Sequence, residues 1–245
     1  MENSYKRKVR SYYSRQVAEE GKGKGVCNFK EECRKSASEE KPFCYLPGRP
    51  FIGKDYGKRD KKKIVFIGIN PVNRDKERDY AIDLQRFVSE PGFEKEGYWR
   101  QVVEYVRRIN HLKRPVPPRE VLNGVAITNG VRCMTKFHPV NNRARLPTDV
   151  MWRKCSHHLI KELEILRPRL IVTLGVGKPG PWWNLDSKEM KVFLNTGQDA
   201  GYYLYAYPNS RVGRIKALGL FHPSRPFNHR KNMNRIKRNA RALFE

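Results

Sequence analysis

The sequence predicts an α/β protein built on a mostly parallel central sheet, on three observations. Short runs rich in β-branched and aromatic residues recur along the chain: Ile64-Val-Phe-Ile-Gly68, Val125-Ala-Ile-Thr128, Leu170-Ile-Val-Thr-Leu174 and Arg214-Ile-Lys-Ala-Leu-Gly-Leu-Phe221. The first three are continuously apolar rather than alternating, as strands buried on both faces are. Segments of helical spacing lie between them, and alternation of strand and helix is the mark of a parallel sheet.

The elements follow in order. Residues 1–26 are polar and basic and are expected as an arm, with a short helix around Tyr12 to Glu20. Residues 27–245 are expected as one domain, and its first part, 27–60, has no apolar periodicity yet carries Cys27, Cys33 and Cys44. A loop of that kind needs something other than a core to order it, and a metal centre would do so. After the first strand, Ile82, Leu84, Phe87 and Val88 mark a helix within Asn73 to Glu90, broken at Pro91-Gly92. Helical spacing returns from Tyr98 to Ile109 through Val102, Val103, Tyr105 and Val106, and Pro115-Val-Pro-Pro118 in the following loop rules out helix there. Thr148 is the expected N-cap of a helix running to Leu166, with Pro168 closing it. Glycines from Gly175 to Gly180 stop the third strand. The last element, 225–245, is a basic helix that docks through Ile236, Ala240 and Leu243 and turns Arg230, Lys231, Arg235, Lys237, Arg238 and Arg241 outward.

Charge makes the first statement about function. Lysine and arginine total 51 against 25 acidic residues, a formal net charge of +26. That much self-repulsion works against a compact state, so a polyanionic partner, nucleic acid first, is the natural inference. No apolar run approaches the roughly 18 residues that a membrane span needs. No secretory signal is visible behind the N-terminus. The expectation is a cytoplasmic, nucleoid-associated protein. Five cysteines in such a compartment are not a disulfide framework, and the odd number argues against full pairing. They are core thiols or metal ligands.

Three strand ends present polar side chains in chain order: Asn70, Asn129 and His222. In open α/β sheets ligands bind outside the carboxyl ends of the strands, so three such ends suggest one pocket. Triad chemistry and a phosphate-cradling glycine loop are both missing; Gly175-Val-Gly-Lys-Pro-Gly180 is a poor imitation of the latter.

With these residues in place, the sequence resembles the uracil-DNA glycosylase superfamily. Gly68-Ile-Asn-Pro71 looks like the first active-site motif of the mismatch-specific and single-strand-selective branches, and His222-Pro223-Ser224 looks like the second motif. Ile127-Thr-Asn-Gly-Val-Arg-Cys133 and the stretch from Cys155 to Gly175 are most similar to the thermostable family-4 branch. The resemblance spans roughly residues 44 to 230. It implies a three-layer α/β/α fold around a four-stranded sheet, and a monomer that removes uracil or another deaminated base from DNA. In that reading Asn70 holds the attacking water and His222 supports the leaving base. Gly68, Ile69, Asn129 and Ser224 line the pocket, and Phe93 stacks on the base. Arg225 and Phe227 fill the space left by the flipped base, while Arg230, Lys231 and Arg235 hold phosphates.

The family-4 resemblance also implies a structural [4Fe–4S] cluster held by four cysteines. Cys133 and Cys155 match its downstream pair, Cys44 one upstream ligand, and Cys27 and Cys33 compete for the last place. Zinc is the alternative metal for four thiolates. Two other functions remain open: a non-catalytic nucleic-acid-binding protein of the same fold, and a glycosylase acting on hypoxanthine or mismatched thymine.

Overall fold

The computed structural model describes residues 3–18, 29–36, 43–44, 50–59, 61–69, 72–73, 88, 92–95, 97–112, 116–131, 134–136, 147–175, 191–195, 202–206, 214–223 and 226–244. Six helices and ten strands are assigned among them. The helices are α1 (Ser4–Ala18), α2 (Lys30–Ser36), α3 (Gly97–Ile109), α4 (Pro118–Leu122), α5 (Asp149–Leu166) and α6 (Pro226–Phe244). The strands are β1 (Phe43–Cys44), β2 (Phe51–Ile52), β3 (Ile64–Gly68), β4 (Val72–Asn73), β5 (Val125–Asn129), β6 (Met134–Lys136), β7 (Leu170–Leu174), β8 (Lys191–Asn195), β9 (Tyr202–Ala206) and β10 (Arg214–Leu220).

The main sheet runs β2-β5-β3-β7-β10-β9-β8. Its centre, β5-β3-β7-β10, is parallel throughout, and these are the four strands read from the sequence. Three further strands extend it: β2 antiparallel to β5, and the β9–β8 hairpin antiparallel to β10. The sheet is therefore seven-stranded where four were expected. A strand of two residues and two of five carry too little periodicity to announce themselves.

Side chains alternate across the strands, and the two faces bury two separate cores. Phe66 and Ile64 of β3, Ile127 of β5, Val172 of β7 and Leu218 of β10 face α3, α4 and Ile236 of α6. Val65, Ile67, Ala126, Ile171 and Ala217 face Leu159, Leu163 and Leu166 of α5 and Val9 and Tyr13 of α1. This is the three-layer arrangement, helices on both sides of one sheet.

Local chemistry sets the helix ends. The Thr148 hydroxyl accepts from the Met151 amide at 3.2 Å, capping α5 as its sequence predicts. Its last turn closes where Arg167 adopts φ 47° and donates to the Leu163 carbonyl. Pro118 does not exclude helix; it begins α4, where the missing N–H is not needed.

The N-terminus departs most from the expected arm. Its helix starts at Ser4, eight residues before the expected start, and Val9 and Tyr13 are buried against the sheet's second face. Tyr13 donates to Glu162 of α5, and Glu162 accepts from Thr128 of β5 at 2.7 Å. A fully buried carboxylate is tolerable only with such donors, and here it ties α1, α5 and β5 together. The helix expected within Asn73 to Glu90 lies outside the described residues apart from its start on β4 and a helical Val88. The cysteine-rich stretch is not all loop: α2 packs Cys33 against α5.

Candidate active site

Chain order across the sheet locates the site. From β3 the chain leaves for β5 on one side, and from β7 it leaves for β10 on the other. The crevice therefore opens at the carboxyl ends of β3 and β7. Gly68 is the last residue of β3 and lies in register with Asn129, the last of β5. The pairing continues past the strands, with Gly130 donating to the Gly68 carbonyl at 2.8 Å and Val131 to Ile69 at 2.9 Å. These bonds hold the two strand ends rigidly side by side.

Gly68 is needed for what covers it. A Cβ there would lie 2.5 Å from Asn129 Oδ1 and 3.2 Å from the Tyr98 hydroxyl oxygen, so only glycine lets both polar tips close over the strand end. Tyr98 stands at the start of α3 and turns its other side to His222, with ring centroids 5.5 Å apart and planes inclined by 42°. Glycine, amide, phenol and imidazole thus follow one another around a single rim. Burial, with a smaller contribution from Tyr105, pushes the Tyr98 phenol far above its ordinary pKa. It stays protonated and retains an O–H to donate.

His222 is positioned from behind by α6. Asn232, fully buried, accepts from the Phe221 amide at 2.8 Å and donates to the Phe221 carbonyl at 2.9 Å. Its second N–H reaches the Tyr105 hydroxyl at 2.9 Å, and that hydroxyl donates to Gln101. One turn earlier, Asn228 donates to the His222 carbonyl at 2.9 Å. Two amides at a spacing of four therefore hold the backbone of the two residues that follow β10.

A profile of the Uracil DNA glycosylase superfamily matches residues 54–244. The chain belongs to the uracil-DNA glycosylase superfamily. A Type-4 uracil-DNA glycosylase of Archaeoglobus fulgidus is 28% identical over 193 residues, covering 78% of this chain and 76% of that protein. The matched span contains the four parallel strands and every residue of the rim just described.

Within this superfamily fold, the residues expected from sequence fall into three groups. Gly68, Asn129 and His222 are brought together with Tyr98 between them, and Ile69 packs beside the cluster of Cys33 and Trp152. Asn70, Ser224 and Arg225, with the side chain of Phe227, lie outside the described residues. Phe93 is 3% exposed and meets Trp99 edge-on, its centroid 6.2 Å away, as part of the α3-side core.

The expected phosphate contacts divide. Arg230 is exposed on α6, as is Lys231, whose ammonium lies 5.6 Å from the Phe221 ring. Arg235 does not face out: its guanidinium lies 4.1 Å above the Phe221 ring and donates to the Gly219 carbonyl at 2.9 Å. A charge turned back onto the end of β10 braces the His222 segment. Tyr98, Asn228 and Asn232 were not singled out from sequence as site residues. Tyr98 hides in the apolar spacing of α3, whereas Asn228, Asn232 and Asn239 form a polar stripe on the docked side of a basic helix, which was a usable signal.

Two of the five cysteines are described with their side chains. Cys33 and Cys155 are both buried in one cluster with Val131, Met151 and Trp152. Cys44 pairs across β1–β6 with Met134, and Val131 belongs to the cluster of Cys33 and Cys155. The Trp152 indole N–H is buried there without an acceptor among the described residues. No group of three or more metal-ligating side chains is complete among the described residues. Cys27 and Cys133 lie outside them, and so does the Cys44 side chain.

Proposed function

We propose that the protein is a monofunctional DNA glycosylase that flips uracil from DNA and hydrolyses its N-glycosidic bond. The observation that carries this reading is the rim formed by Gly68, Asn129, Tyr98 and His222 at the sheet's switch point. An amide at Asn129 offers both a donor and an acceptor, matching the N3–H and O4 of uracil. Cytosine presents the reverse pattern there and is met less well. His222, as a neutral imidazole, supplies an N–H where negative charge develops on the departing base. Asn70, two residues beyond Gly68 in sequence, orients water toward C1′ through its carbonyl. The phenol of Tyr98 holds the imidazole against the rim and keeps water from that side. The exposed cations of α6 grip the phosphates on either side of the flipped nucleotide.

The test is single-turnover release from labelled oligonucleotides carrying U:G, U:A, T:G and I:T pairs. Uracil release from both U-containing duplexes is the expected result. Release confined to T:G or I:T would reassign the substrate, and no release from any would leave only a DNA-binding protein of this fold.

We further propose a structural metal centre, a [4Fe–4S] cluster in preference to zinc, with Cys33, Cys44, Cys133 and Cys155 as ligands and Cys27 to spare. Cys33 and Cys155 already share one buried cluster, and the orphaned Trp152 N–H suits an anionic sulfur acceptor. The cluster would supply no step of the hydrolysis; its thiolates would fix α2 and the β1–β6 pair to the start of α5. Cys33→Ser should strip most of the bound iron and the visible absorbance, while Cys27→Ser should leave both intact. The opposite result, or stoichiometric zinc in anaerobically purified protein, would overturn the assignment.

A further inference from the structure

The site lies at the carboxyl ends of the parallel strands, yet a dense group of cations sits at their amino ends. Residues 53–63 hold six lysines and arginines against two aspartates. This segment is a built surface rather than a slack loop. Tyr56 donates its amide to Gly53, Lys58 to Asp55 and Lys61 to Lys58, at 3.0–3.1 Å, so consecutive turns fix the backbone.

Two neighbouring segments are stitched to it. The Arg169 amide donates to the Lys63 carbonyl at 2.8 Å, and the Tyr56 hydroxyl donates to the Leu166 carbonyl at 3.1 Å. The Asn3 amide reaches the Tyr56 carbonyl at 2.9 Å, and the Lys63 ammonium lies 5.3 Å from the Tyr5 ring. One rim therefore gathers Arg59, Lys61, Lys62, Arg167 and Arg169, all exposed, together with exposed Arg7 and Lys8 at the start of α1. Lys58 also lies there, 61% exposed and ion-paired with Asp55 at 2.5 Å.

We propose that this rim is a second nucleic-acid contact surface, which holds the phosphate backbone of a duplex segment other than the one presented to the site. Three observations point that way. The cations converge from three stretches of chain onto one rim, and hydrogen bonds of backbone and side-chain groups hold those stretches in place. The rim is separated from Gly68 by the length of β3, about 13 Å at the rise of an extended strand. Duplex DNA crossing the carboxyl-end crevice would have to bend round the domain to touch it, against the stiffness of the duplex. A separate segment, or a distant stretch of the same molecule, reaches it freely. A lipid surface fits less well: the only exposed large apolar side chain among the described residues is Leu112. Membrane-lying elements need an apolar face to insert.

The experiment compares the full-length protein with the triple variant Arg59→Gln, Lys61→Gln, Lys62→Gln. Anisotropy titrations over a range of salt use undamaged duplexes of one helical turn and of several turns. Undamaged DNA makes the result independent of whether the protein excises uracil. On the long duplex the variant should bind about tenfold or more weakly at low salt, with a salt slope reduced by about two to three. On the one-turn duplex, affinity should change less than about twofold. Arg7→Gln with Lys8→Gln, on a separate element, should reproduce the length-dependent loss and so exclude a local folding defect in the turn. Equal affinity for both duplexes in all proteins would overturn the proposal, as would an equal loss on both lengths. Phosphatidylserine vesicles titrated in parallel are the control: a loss of binding there, with none on either duplex, would also overturn the proposal and assign the rim to membranes.

Discussion

Replacing His222 with alanine should slow uracil release by about 10²- to 10³-fold, since a donor aimed at developing charge is worth roughly 3–4 kcal/mol. The prediction follows from geometry and from the chemistry of leaving groups. As the glycosidic bond lengthens, negative charge spreads over the departing uracil, and a fixed N–H at the rim stabilises that charge more than it stabilises the bound substrate. The loss should therefore appear in the single-turnover rate, with the affinity for uracil-containing DNA little changed. Asn70→Ala should give a loss of similar kind through the water. The measurement is the rate of alkali-labile strand formation from a U:G duplex under enzyme excess. If both variants keep the parental rate, the chemistry does not reside at these strand ends.

Tyr98 sharpens the same argument. Its ring lies beside the His222 ring and its hydroxyl lies over Gly68, so it belongs to the rim although its spacing on α3 reads as core. A phenol whose pKa is pushed far up cannot serve as a base near neutrality. Its part is to donate and to wall the site.

What the sequence made legible depends on how much physics sits within a few residues. The strands β3, β5 and β7 were readable because burial on both faces demands continuous apolar runs, and α5 because Thr148 carries its cap in the sequence. Read from the sequence, the ends of β3, β5 and β10 carry Asn70, Asn129 and His222, and the structure gathers Gly68, Asn129 and His222 on one rim. Other features depend on partners far away in the chain. The N-terminal helix has a mostly polar sequence, and the contacts that fix it to the domain, with Glu162 and His158 among them, lie as far as 146 to 149 residues away in the chain. Arg235 looked like a phosphate contact because helical spacing alone cannot show that a guanidinium has folded back over Phe221. The β8–β9 hairpin was missed because a sheet edge asks for less apolar regularity than its centre.

The second large effect should come from a residue that touches no substrate. Asn232→Ala should reduce the single-turnover rate by about ten- to a hundredfold, because displacements on the order of an ångström at reacting groups cost that much. The amide makes three hydrogen bonds to two residues: both backbone groups of Phe221, and the Tyr105 hydroxyl. Truncation leaves a half-buried N–H and a half-buried carbonyl unmet at the residue that leads into His222. Each unmet group costs about 1–3 kcal/mol, so folding stability should also fall, with a drop in Tm of about 5–10 °C. A merely structural role predicts the Tm loss without the rate loss at a temperature where the variant is fully folded. The isosteric Asn232→Asp separates the two further. It keeps the acceptor for the Phe221 amide but faces the Phe221 carbonyl with an oxygen in place of a donor. The rate should then fall at least as far as in the alanine variant, even though side-chain volume is preserved. Asn228→Ala, which frees only the His222 carbonyl, should show a smaller loss of rate with little change in Tm. If all three variants release uracil at the parental rate while folded, the hold that α6 exerts on the end of β10 is unrelated to the orientation of the imidazole.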